Sequence, residues 1–139
     1  WYQQNETALS NYGEINSWDV SLITDMSNLF QVTFDFNDDI SDWNVSNVTN
    51  MQFMFDGCIN FNQPLDDWDV SNVTNMEGMF QGATSFNGMI SNWNTSNVKN
   101  MKKMFDFAVS FNQNIGNWDV SKVQNMQNIF RGPLITRNA

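Results

Sequence analysis

Apolar positions return along this chain every 25 residues, with no insertion. The Trp column is Trp18, Trp43, Trp68, Trp93 and Trp118. Met26, Met51, Met76, Met101 and Met126 keep the same step, as do Phe30, Phe55, Phe80, Phe105 and Phe130. A fixed period of about 20–50 residues marks an array of stacked units, each too small to bury its own apolar face.

Each unit opens on I-x-x-W-x-V, at Ile15, Ile40, Leu65, Ile90 and Ile115. Apolar residues two apart, bounded by Asp, Asn, Ser, Gly and Pro, predict a short strand with Trp and Val on one side. A Ser follows (Ser21, Ser46, Ser71, Ser96, Ser121), in the right place to cap a helix. In the third unit Val73, Met76, Met79, Phe80 and Ala83 then stand three and four apart, which predicts helical turns. Gly57, Gly82 and Gly132 suit a left-handed helix end, though Val32 and Phe107 hold that phase elsewhere. Cys58 shares its phase with Thr33, Ala83, Ala108 and Pro133, so it reads as a small buried residue rather than a nucleophile. Amide columns at Asn37, Asn62, Asn87, Asn112 and at Asn50, Asn75, Asn100, Asn125 read as structural ladders satisfying loop backbone groups. The fold expected is an α/β repeat solenoid of about five strand-turn-helix units with parallel stacked strands. Residues 1–14 are expected to form a degraded capping half-repeat, 15–130 the five-unit array, and 131–139 either a C-terminal cap or the edge of an excised fragment.

Charge changes the picture. The net charge is -9, and residues 1–98 hold thirteen Asp and Glu with no Lys or Arg. Residues 99–139 hold six Lys and Arg against Asp106 and Asp119, so the parts carry -13 and +4. An acidic body argues against nucleic acid, whose phosphates need a basic footprint. The basic end at Lys99, Lys102, Lys103 and Lys122 could steer one molecule onto another head to tail. No apolar run is long enough to span a membrane. The opening Trp1 in place of Met points to a mature or excised fragment. One Cys excludes an internal disulfide, and the absence of His removes the commonest general base and metal ligand.

The outward strand positions give the candidate binding face: Asp19, Asp42, Asn44, Asp66, Asp67, Asp69, Asn92, Asn94, Asn117 and Asp119. Short acids and amides suit contacts to protein or sugar hydroxyls. Their bland reading is solvation, with Asn alternating with Asp to relieve like-charge repulsion between neighbouring strands. Asp42, Asp66, Asp67 and Asp69 are the best calcium set, but they lack an EF-hand loop and successive residues point to opposite sides. No carboxylate pair is singled out for catalysis, so the expectation is a non-enzyme without a cofactor.

The tag Trp-Asp/Asn-Val-Ser-Asn-Val-Thr-Asn-Met, as at residues 68–76, resembles the repeat of BspA-type leucine-rich repeat surface proteins, also found in mycoplasma-type lipoproteins. Residues 15–130 carry the resemblance, with Trp, Met and Phe in place of most Leu. It implies a right-handed, leucine-rich-repeat-like coil at a cell surface or outside the cell, used for adhesion or partner binding. The function expected is recognition of a protein or glycan through the polar strand face. The alternative is a structural module stacking end to end into a filament or sheath.

Overall fold

The structure, a computed structural model, describes residues 2–132, with side chains from Thr7 onward. Trp1 and residues 133–139 of the expected C-terminal cap lie outside the described residues. The chain opens with α1 (Tyr2–Tyr12), a helix where a degraded half-repeat is expected. Gly13, at φ 72, donates its N–H to the Leu9 carbonyl at 3.0 Å, a left-handed stop just past the helix. A single 3-10 turn, Ile15–Ser17, leads into the first 25-residue coil.

From there the strand-turn-helix expectation fails. Among the described residues no strand and no further helix forms. The I-x-x-W-x-V stretch is folded by turns, with Trp43 N–H on the Ile40 carbonyl at 3.2 Å and Val48 N–H on Val45 at 2.9 Å. Ser46 does not cap a helix; its own N–H is taken by Asn44 Oδ1 at 3.2 Å. Local turns and side-chain acceptors use the amides that a strand ladder would need. All that remains of the expected parallel stacking is one isolated bridge per interface, through Asp25, Asn50, Asn75, Asn100 and Asn125.

The segment predicted as helical is a run of overlapping turns with a different hydrogen-bond economy. Leu29 donates to Met26, Gln31 to Asn28 and Thr33 to Phe30, at 3.0–3.3 Å. The alternate amides of Met26, Asn28, Phe30 and Val32 point instead to carbonyls of the next coil, Asn50, Gln52, Met54 and Asp56, at 2.7–3.0 Å. The same pattern repeats at 51–57, 76–82 and 101–107. Every second peptide unit therefore lies along the stack axis, N–H toward the C-terminal end and C=O toward the N-terminal end.

This geometry demands a left-handed residue at the third position of two turns per coil. Gly78, Gly57 and Gly82 meet the demand cheaply, at φ 58, 72 and 66. Asn28, Asn128, Phe53, Lys103, Val32 and Phe107 adopt the same conformation at φ 53–60. Of the glycines anticipated as helix ends, Gly57 and Gly82 are left-handed, but within turns that bind the next coil, and Gly132 is not left-handed. The coil-to-coil bonds hold even the β-branched Val32 in a conformation it strongly disfavours.

Two aromatic ladders fill the interior. Phe30, Phe55, Phe80, Phe105 and Phe130 step by 5.5–5.7 Å with nearly parallel rings. Phe36, Phe61, Phe86 and Phe111 step by 5.6–6.0 Å beside them. The Met51, Met76 and Met101 column is fully buried. From the second coil on, each indole is tied back one coil: Trp43 Nε1 donates to Ile15, Trp68 to Ile40, Trp93 to Leu65 and Trp118 to Ile90, at 2.7–3.2 Å. Cys58 is buried as expected; its thiol donates to the Phe30 carbonyl at 3.0 Å, and burial pushes its pKa up to about 12. At neutral pH it is a protonated, unreactive thiol.

Two glycines separate conformation from crowding. A Cβ on Gly82 would meet only Gly57 backbone at 3.7 Å, whereas a Cβ on Gly78 would run into the Phe53 ring. Gly82→Ala should therefore cost about 1–2 kcal/mol, the left-handed penalty alone. Gly78→Ala should cost more, and Phe53→Ala in the same chain should recover the excess. Urea melts of the three variants check this; equal losses at the two glycines would contradict it.

Candidate functional site

The columns 17/42/67/92/117 and 19/44/69/94/119 are exposed from the first coil to the fifth. Asn16, Ser41, Asp66 and Ser91 in the neighbouring column are half-buried. The predicted face therefore exists as a surface, although turns rather than strands present it.

Most of its polar groups are occupied. Asp19, Asp69 and Asp119 accept the backbone N–H two residues on, from Ser21, Ser71 and Ser121, at 2.9–3.0 Å. Asn44 and Asn94 make the same turn to Ser46 and Ser96 at 3.2 Å. The text Asp/Asn-x-Ser is a legible signal for this local turn, and it explains why Asp and Asn interchange in the column. Asp42 accepts from Asn16 Nδ2 and donates its own N–H to Asn16 Oδ1, both at 2.9 Å. Asp66 holds the Asn92 backbone N–H at 2.9 Å and also its side-chain amide. Asp67 differs: it is exposed, central, and free of any hydrogen bond or ion pair among the described residues. The set Asp42, Asp66, Asp67 and Asp69 does not converge, and no described group of three or more acids, Cys or His could hold a metal ion.

The amide columns are structural, as read. Asn62 N–H bonds Asn37 Oδ1, Asn87 bonds Asn62 and Asn112 bonds Asn87, each at 2.8 Å. Asn50, Asn75, Asn100 and Asn125 each accept the N–H two residues on, at 3.0–3.1 Å.

The basic end is partly engaged. Lys102 pairs with Glu77 at 3.3 Å, and Lys122 donates to Asn97 at 2.7 Å. Arg131 forks onto the fully buried Asp106 at 2.9 and 3.1 Å, and its guanidinium lies over the Phe107 ring. Spacing gave no sign of this buried pair. Lys99 is exposed, and Lys103 occupies a left-handed turn position.

Residues 2–91 and 63–134 match the family described as Mycoplasma protein of unknown function, DUF285. The chain belongs to the DUF285 family. No curated protein and no solved structure matches it. The two matched stretches of the DUF285 chain overlap inside the repeat array and together take in both the α1 cap and all five coils.

Several carboxyls of this DUF285 chain sit below their ordinary range. The Ser21, Ser71 and Ser121 hydroxyls, then their backbone N–H groups, lower Asp19, Asp69 and Asp119. The backbone N–H groups of Ser27 and Ser41 lead for Asp25 and Asp39. A carboxyl lowered in the fold stabilises it fully above the unfolded value, near pH 4, and loses that contribution as pH falls through the lower folded value. The melting temperature should therefore drop on acidification below about pH 4. Asp19→Asn, Asp69→Asn and Asp119→Asn together should make the drop shallower, because Asn keeps the turn without titrating. Calorimetry from pH 7 to pH 2 measures both slopes, and an unchanged slope would refute the assignment.

Proposed function

We propose that this chain is a non-catalytic recognition module, of the kind the BspA-type surface repeat represents, working at a cell surface or outside the cell. Its partner is a protein or glycan rich in hydroxyl, amide or cationic groups. The observation behind this reading is Asp67, a free carboxylate at the centre of a face whose other acids are mostly held in fixed turns. Neighbouring Asp42 and Asp69 are pinned by Asn16 and Ser71, so the face meets a partner with little side-chain entropy left to lose. The coil-to-coil ladder beneath keeps the columns in register. Binding of the intact chain to arrays of immobilised glycans and surface proteins tests the reading. Asp67→Ala should weaken any specific binding about tenfold or more while leaving the melting temperature unchanged. Binding indifferent to Asp67→Ala and Asp69→Asn would remove the polar face as the site.

End-to-end assembly is the second reading. The last coil exposes Met126 and Val120, whose counterparts in the inner coils are buried, beside the Lys-rich end. The opposite end is acidic, and α1 covers it. Sedimentation velocity at low and high salt should show a salt-sensitive association if copies stack; a salt-insensitive monomer at high concentration would remove this reading.

A further inference from the structure

A hollow of about 470 Å³ lies between α1 and the first coil. Cavities of about 300–1,000 Å³ are the usual size for small-molecule sites. Its described walls include Leu9, Trp18, Phe30 and Trp43, with Glu14 and Asp38 as the acids. Both indole N–H groups are spent: Trp18 Nε1 donates to the Tyr12 and Gly13 carbonyls at 3.1 and 3.3 Å, and Trp43 Nε1 to Ile15 at 2.8 Å. The indoles therefore bring rings to the hollow and no donor.

The acids make the hollow selective. Apart from Asp67, Glu14 and Asp38 are the only described acids whose carboxylates hold no hydrogen bond or ion pair. Both line the same cavity. No Lys or Arg occurs in residues 1–98 to neutralise them. Aromatic rings attract cations through the ring quadrupole, and a low-dielectric wall focuses the field of nearby carboxylates. An anion would meet two acids and no base. A neutral apolar molecule would fill the space but leave both carboxylates uncompensated.

We propose that the hollow under α1 binds an organic cation with an apolar body, such as a quaternary ammonium or an aryl-alkyl amine. Trp18, Trp43 and Phe30 hold the body, and Glu14 and Asp38 balance the charge. The site is separate from the polar face: its acids, Glu14 and Asp38, belong to none of the face columns, and it stands whether or not that face recognises a partner.

The test is titration of the intact chain with benzyltrimethylammonium, followed through the indole N–H resonances of Trp18 and Trp43. A neutral tert-butyl analogue of similar shape and benzoate serve as comparisons. The cation should saturate one site and move those two resonances, binding about tenfold or more tightly than the neutral analogue. Benzoate should not bind. Glu14→Gln with Asp38→Asn should weaken the cation about tenfold or more without lowering the melting temperature. Asp67→Ala should leave it unchanged, which separates this site from the face. Equal binding of the neutral analogue, shifts spread over the acidic face instead of Trp18 and Trp43, or no saturation would each overturn the proposal.

Discussion

The structure depends on the peptide unit that stands along the stack axis. In the first four coils, alternate amides from the Met26 phase to the Val32 phase donate to carbonyls of the coil that follows. The intervening amides close turns within the coil. Every amide over this stretch is therefore satisfied without strand or helix, which a buried backbone requires. The left-handed residues at Asn28, Phe53, Gly78 and Lys103 are the conformational cost of alternating the two directions. The Phe, Met and Trp columns are in register because the backbone beneath them is.

The ladder also gives the stack a polarity. Peptide dipoles aligned in one direction leave partial positive charge where N–H groups point outward and partial negative charge at the other end. Here the N–H groups point toward the last two coils, which carry Lys99, Lys102, Lys103 and Lys122, and the carbonyls toward the acidic first coils. Side-chain and backbone fields thus add. The same acidic field surrounds the hollow under α1, where an uncompensated carboxylate pair meets aromatic walls.

Most polar residues on the surface serve the coil they belong to. Asp19, Asn44, Asp69, Asn94 and Asp119 fold the chain before they can meet a partner, which is why Asp and Asn alternate there without altering the structure. Function is then sought where this economy leaves a group over. Asp67 is left over on the face; Glu14 and Asp38 are left over at the cap. None of the three stands out by residue type, and each becomes visible only once the partners of the others are known.

By itself the sequence determined the period, the number of coils, the buried columns and the in-line amide ladders, since a 25-residue repeat without insertion forces equivalent residues to stack. It also fixed Cys58 as a small interior residue, because its phase is held by Thr, Ala and Pro elsewhere. It misled on secondary structure. Alternation of Trp43, Asn44 and Val45 looks the same in a strand as in linked turns that bury alternate residues, and the three-and-four spacing of Val73, Met76, Met79 and Phe80 is as compatible with overlapping turns as with a helix. Which of these forms is decided by where each amide finds an acceptor. For alternate amides from Met76 to Gly82 that acceptor lies 24 residues further along the chain, on a neighbouring coil, so only the tertiary structure could supply it.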